Sequence, residues 1–173
     1  MDESPSPCRE RLRYSGQPFP RYRFIPGETP HPRRHEQGHS FGQPEPKLAG
    51  FEARLWRNSR DYKFAVDLFN FGFWWESHEL FEAFWHASGR RTPEGRFFQG
   101  LIQLAAAHLK RRIRNTAAAV RLFDRASASL RQAPPVCMGI DIETLVQDIE
   151  RCRESQNESV VLLRLNVSNE GAG

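Results

Sequence analysis

No stretch of this 173-residue sequence reaches the ~18 consecutive apolar residues of a membrane-spanning helix, so no membrane span is expected. Cysteine is scarce. Cys8, Cys137 and Cys152 are an odd number without Cys-x-x-Cys spacing, which argues against a disulfide framework and a structural zinc site. Charge of one sign is also missing. The net charge is +4, but residues 1–50 hold 8 Lys/Arg against 6 Asp/Glu, and residues 51–173 hold 17 against 15. A nucleic-acid binder gathers its cations on one face, whereas here acids and bases alternate throughout, so nucleic acid is not the expected partner. Met1-Asp-Glu-Ser-Pro5 lacks the apolar core of a signal peptide. The expectation is a soluble, reduced, cytoplasmic protein.

Proline is unevenly spread. Nine of the twelve lie within residues 1–50, where they withhold the amide donors that helices and central strands require. Residues 1–46 therefore read as a proline-rich, largely irregular N-terminal arm, residues 47–157 as a helical domain, and residues 158–173 as a C-terminal tail. The arm is not a plain linker, because Phe19, Tyr22, Phe24 and Ile25 are more apolar than solvated chain needs. It is expected to lie along the helical body. The fold class is all-α: a compact bundle of about five or six helices with an extended arm.

Local signals place the helices. A first is expected from about Lys47 to Trp56. The second starts on Ser59 as N-cap and stops at Asn70-Phe-Gly72. A third, roughly Phe73–Ser88, carries Phe73, Ser77, Leu80, Phe81 and Phe84 on one arc; His78 falls at its edge, and Glu76, Glu79 and His86 face away. The fourth starts with Thr92 as N-cap and Pro93 at its first position, and is apolar around most of its circumference to about Ile113. Gly100 and Ala107 on it allow close approach of a neighbour. Lys110-Arg-Arg-Ile-Arg114 sits where the helix dipole favours cations. A fifth spans about Thr116–Leu130, and a sixth follows Asp141 as cap. Val160–Leu165 reads as a lone extended segment packed on the body.

Chemistry concentrates in Trp74-Trp-Glu-Ser-His-Glu-Leu-Phe-Glu-Ala-Phe-Trp85. His78 and Glu82, four apart, lie on adjacent turns of one face, where imidazole and carboxylate can share a hydrogen bond or a metal. The zinc-protease pattern needs a second His at position 82 and is absent. Gln99, Gln103 and His108 on the fourth helix are available partners, since a polar group buried unpaired costs about 1–3 kcal/mol. The polar cluster candidates are thus His78, Glu79, Glu82, Gln99, Gln103 and His108. His31, His35 and His39 are four apart, yet Pro30 and Pro32 oppose the helix that would align them on a metal.

Asn70-Phe-Gly-Phe-Trp-Trp-Glu-Ser-His-Glu-Leu-Phe-Glu-Ala-Phe-Trp85, followed by Phe97-Phe-Gln-Gly-Leu-Ile-Gln-Leu-Ala-Ala-Ala-His108, closely resembles the uncharacterised bacterial and archaeal domain-of-unknown-function family three-zero-nine. The resemblance covers roughly Asp61 to Leu130. Tyr22–Pro32 and Gly38-His-Ser40 look like an extension that some members carry. The resemblance implies a small all-α fold, no established activity, and signature polar positions at His78, Glu79, Glu82, Gln99 and Gln103. One departure is visible: members often have Gly-Asn after the central helix, where this chain reads Ile113-Arg-Asn115.

These readings favour a non-enzymatic helical module whose His/Glu/Gln cluster is structural or binds a small ligand or protein partner, with room for a homo-oligomer. The alternative is a metal-assisted hydrolase using His78 and Glu82 with Glu79 or His108. No cofactor is expected beyond a divalent metal, for which His78 and Glu82 are the candidates.

Overall fold

A computed structural model describes residues 11–155 and 159–167. Cys8 and residues 156–158 and 168–173 of the tail lie outside them. Five α-helices follow in order: α1 (Arg60–Asn70), α2 (Trp74–Ser88), α3 (Pro93–Arg112), α4 (Thr116–Leu130) and α5 (Ile142–Glu154). Each start has a local cause. Ser59 accepts from the Tyr62 amide, Thr92 from Gly95, Asn115 from Ala118 and Asp141 from Thr144; only α2 lacks a side-chain cap. Gly72 and Gly89 take the positive φ that lets α1 and α2 end sharply.

The longest helix, α3, packs against both α2 and α4. Phe97, Phe98, Leu101 and Leu104 are fully buried, together with Tyr62, Phe81, Phe84 and Phe123 from its neighbours. Phe84 and Phe98 stack with ring centroids 5.1 Å apart. Side chains of this size contribute about 1.5–3 kcal/mol each when fully buried. At Gly100 an added Cβ would lie 2.6 Å from Leu130 Cγ, so the α3–α4 crossing depends on its missing side chain.

Two expectations about local structure are corrected. Residues 47–56 do not form an α-helix; a short 3-10 helix occupies Ala53–Asn58 instead. Gly50 adopts φ +71° and interrupts the run, no side chain caps Ala53, and Phe51 is drawn inward to pack edge-on against Phe84 and Phe98. Glu76 does not face away from the body. It is 7% exposed and lies beneath the arm, because the arm covers that side of α2.

The arm follows the helices without regular structure. Phe19 packs on Phe73 and Phe71 at centroid distances of 4.8 and 5.1 Å, and Phe24 is buried edge-on against Trp75. Buried Asp67 binds it most extensively, accepting from the Tyr14 amide, the Ser15 amide and hydroxyl, and Arg13 Nε.

Between α4 and α5 lies a feature with no counterpart in the sequence reading. Val136–Cys137 and Ile140–Asp141 form a minimal antiparallel hairpin. Met138 and Gly139, both at positive φ, make its turn, and Tyr62 donates to the Met138 carbonyl at 2.9 Å.

Residues 159–167 are extended without a strand partner among the described residues; side chains satisfy the amides of Val161, Leu163 and Leu165, and the Gly139 carbonyl that of Asn166. The Asn70 carboxamide donates to the Leu163 carbonyl and accepts from its amide, both at 2.8 Å, imitating a neighbouring strand. His108 Nε2 accepts from Val161, and Tyr14 Oη from Leu165. Val161, Leu163 and Leu165 are buried, as alternation along an extended chain requires.

Candidate functional site

The six candidate cluster residues separate into three places. His78, Glu79 and Glu82 come together on α2: one ligand atom from each lies within 4.8 Å of the others, and all three are partly buried. His78 Nδ1 is buried without a hydrogen-bond partner, its nearest carboxylate oxygen being Glu79 Oε1 at 3.9 Å. Glu79 receives Arg33 Nε from the arm at 3.3 Å. Gln99 and Gln103 point elsewhere. The former accepts from Arg96, and the latter from the Ser129 hydroxyl at 2.8 Å, fastening α3 to α4.

His108 stands apart from both sets. It is 1% exposed, stacks on Trp74 at 5.2 Å, and meets Phe69 and Phe123 edge-on. Burial, reinforced by the Arg111 charge, lowers its pKa to about 3, so the ring is neutral. Nε2 accepts from Val161, which leaves the proton on Nδ1.

The arm histidines are used locally. His31 Nδ1 accepts from the Arg33 and Arg34 amides, and His35 Nδ1 from Gln37. His39 Nε2 meets Glu76 Oε1 at 2.9 Å, and the Phe24 amide donates to the same oxygen. Desolvation raises the Glu76 pKa, opposed by those hydrogen bonds.

Sequence reasoning did not find the cavity that His108 lines. A cavity of about 510 Å³ opens where the end of α3, the start of α4 and the end of α5 converge. Trp74, Ala119 and Val120 give it apolar walls, and Arg111, Arg112, Arg114 and Arg153 supply four guanidinium groups. Arg112 pairs with Glu28 at 2.8 Å and Arg153 with Asp124 at 2.7 Å. Arg111 binds no carboxylate among the described residues: it donates to the Cys152 carbonyl at 2.8 Å and lies over the Phe123 ring. Arg114 has no side-chain partner among the described residues. Against these two stands Glu154, the carboxylate on the lining. The first turn of α4, which borders the cavity at Thr116, contains no acidic residue, so its positive dipole end is not offset there.

The arginines were legible only as a favourable helix end. What distinguishes Arg114 is its backbone, at φ +60°. The Arg114 amide donates to the Arg111 carbonyl and the Asn115 amide to the Lys110 carbonyl, the pattern that normally places glycine at this position. The departure at Ile113-Arg-Asn115 was the available signal. Arg153 and Ser159, some forty residues further on, carried none.

Residues 62–122 match DUF309, a domain of unknown function. The DUF309 match runs from α1 into α4, the stretch whose motifs carry the resemblance. It includes His78, Glu79, Glu82, His108 and Arg114, and excludes the arm, Arg153 and the tail. No curated protein matches the chain.

Proposed function

We propose that this chain is a helical module that binds a small-molecule ligand, without catalysing a reaction, in the cavity between α3, α4 and α5. The observation that carries this reading is the cavity itself: its volume of about 510 Å³ lies within the ~300–1,000 Å³ of small-ligand sites, and it joins apolar walls to a few convergent polar groups. The polar residues of the central helices are, for the most part, engaged in holding elements together. Gln103 fastens α4, His108 the tail, Glu76 and Glu79 the arm. Buried free thiols at Cys137 and Cys152 accord with a reducing, cytoplasmic setting, and no helix among the described residues is long and apolar enough to cross a membrane. The test is titration with N-phenyl-1-naphthylamine, a neutral dye that brightens in apolar surroundings. The parent protein is expected to bind it in a saturable one-to-one manner, and Val120→Trp, which fills the cavity, to abolish binding; equal binding by both refutes this location.

A second reading rests on His78, Glu79 and Glu82. Their convergence within 4.8 Å, with His78 Nδ1 lacking a hydrogen bond, suits a divalent cation held by one imidazole and two carboxylates. Such an ion would supply a Lewis acid, the requirement of the hydrolase alternative. Arg33 competes for Glu79, and His108 is committed to Val161 and Trp74. Metal analysis after dialysis against zinc or manganese decides it: one equivalent bound, lost in His78→Ala, supports this reading, and none retained ends it.

A further inference from the structure

We propose that the cavity recognises an organic anion, a phosphate or carboxylate group carried on an apolar body, and that Arg114 grips the charged group. This deepens the ligand-binding reading above and rests on it.

Arg114 stands in a backbone conformation that side chains rarely adopt, at the α3 end where glycine would fit without strain. Strain of this kind persists where the residue serves something other than the fold. Its guanidinium has no partner among the described residues. What the position provides is a cation lining the cavity.

The surrounding groups fit the same ligand. With the Arg112–Glu28 and Arg153–Asp124 pairs neutral, Arg111 and Arg114 remain against Glu154, an excess of one positive charge among the described lining residues. Arg111 is anchored by carbonyls, which fixes its position without cancelling its charge. His108 is independent of these. It is 1% exposed on the lining, and because Nε2 accepts from the Val161 amide its proton sits on Nδ1. At the start of α4, Asn115 caps the Ala118 amide, and the positive end of the helix dipole borders the cavity at Thr116. Trp74, Ala119, Val120 and Val160 offer an apolar body its contacts. Two guanidiniums, one imidazole N–H and the positive end of α4 suit the several oxygens of a phosphate or carboxylate.

The test uses the full chain and two dyes of nearly the same skeleton, neutral N-phenyl-1-naphthylamine and anionic 1-anilinonaphthalene-8-sulfonate, whose sulfonate stands in for the natural anion. The anionic dye is expected to bind at least about tenfold more tightly. Arg114→Gln should weaken it about tenfold while changing the neutral dye less than twofold. Arg114→Gly, which suits the backbone better, repeats the measurement should the glutamine variant fold poorly, and circular dichroism verifies both. Displacement by inorganic phosphate, but not by acetate at equal ionic strength, assigns the phosphate form; the reverse assigns the carboxylate. Equal affinity for the two dyes, or an anionic-dye affinity indifferent to Arg114, overturns the proposal while leaving the cavity reading intact. Failure of both dyes to bind the folded parent overturns both.

Discussion

The seam beneath the N-terminal arm and the cavity at the end of α3 use the same residue types to opposite effect. Under the arm, charges and donors are matched with the exception of Glu76 Oε2: Asp67 accepts from Tyr14, Ser15 and Arg13, Glu76 Oε1 from Phe24 and His39, and Glu79 from Arg33. At the cavity, Arg114 has no side-chain partner among the described residues, and Arg111 meets neutral acceptors and a ring face there. Matched polarity assembles the fold. Polarity left unmatched beside an enclosed space is what a ligand can use, and the comparison separates the two roles without knowledge of the ligand.

The largest effect expected falls on the seam. Asp67→Ala strips one buried carboxylate from several donors at once and should cost about 2–4 kcal/mol, read as a lowered denaturant midpoint. The same variant should speed tryptic cleavage after Arg21 and Arg23. An unchanged midpoint would mean that the arm contributes nothing to stability.

His108 gives the cavity side its own signature in pH. Its folded pKa, lowered to about 3 by burial, lies below the ordinary 6.5, so the unfolded chain binds a proton that the folded chain refuses. The stability from this neutral ring is complete above pH 6.5. It falls by about 1.4 kcal/mol per pH unit below that, until the folded pKa is reached. Glu76 acts in the opposite sense: with its pKa raised by desolvation, its contribution is complete below 4.5 and is lost as pH rises through the raised value. The difference between parent and His108→Gln isolates the histidine. Parallel stability curves from pH 6.5 to 5 would contradict its burial as a neutral ring.

The smallest effect concerns Glu82. The sequence suggests an ion pair or hydrogen bond with His78, but His78 Nδ1 has no hydrogen-bond partner, and Glu82 forms no side-chain bond among the described residues. Glu82→Ala is therefore expected to shift stability by less than about 0.5 kcal/mol, in place of the 1–3 kcal/mol that a bonded pair implies. A larger loss would restore the pair.

How far each part was legible follows from the range of the forces involved. Helix starts at Ser59, Thr92, Asn115 and Asp141 are set within four residues, and the aromatic arcs of α2 and α3 repeat at the helical period, so both can be read locally. Glu76 lies on the side of α2 that solvent would take if the arm were absent, and only the arm's path makes that side interior. Asn70 reads as a helix stop, yet its carboxamide serves Leu163, far along the chain. The cavity is harder still. Its walls come from α2, α3, α4, α5 and the tail, and its one local sign is an arginine where the chain bends as glycine would.

The most direct measurement is a pair of thermal melts, parent against Arg114→Gly, with and without saturating 1-anilinonaphthalene-8-sulfonate. Without dye the glycine variant should melt higher, because relief of the left-handed arginine outweighs glycine's added chain entropy by about 0.5–1 kcal/mol. With dye the gap should close or reverse, since the parent binds more tightly and gains more by mass action. A gap of the same size in both conditions would contradict the account, because Arg114 would then bear strain without serving a ligand.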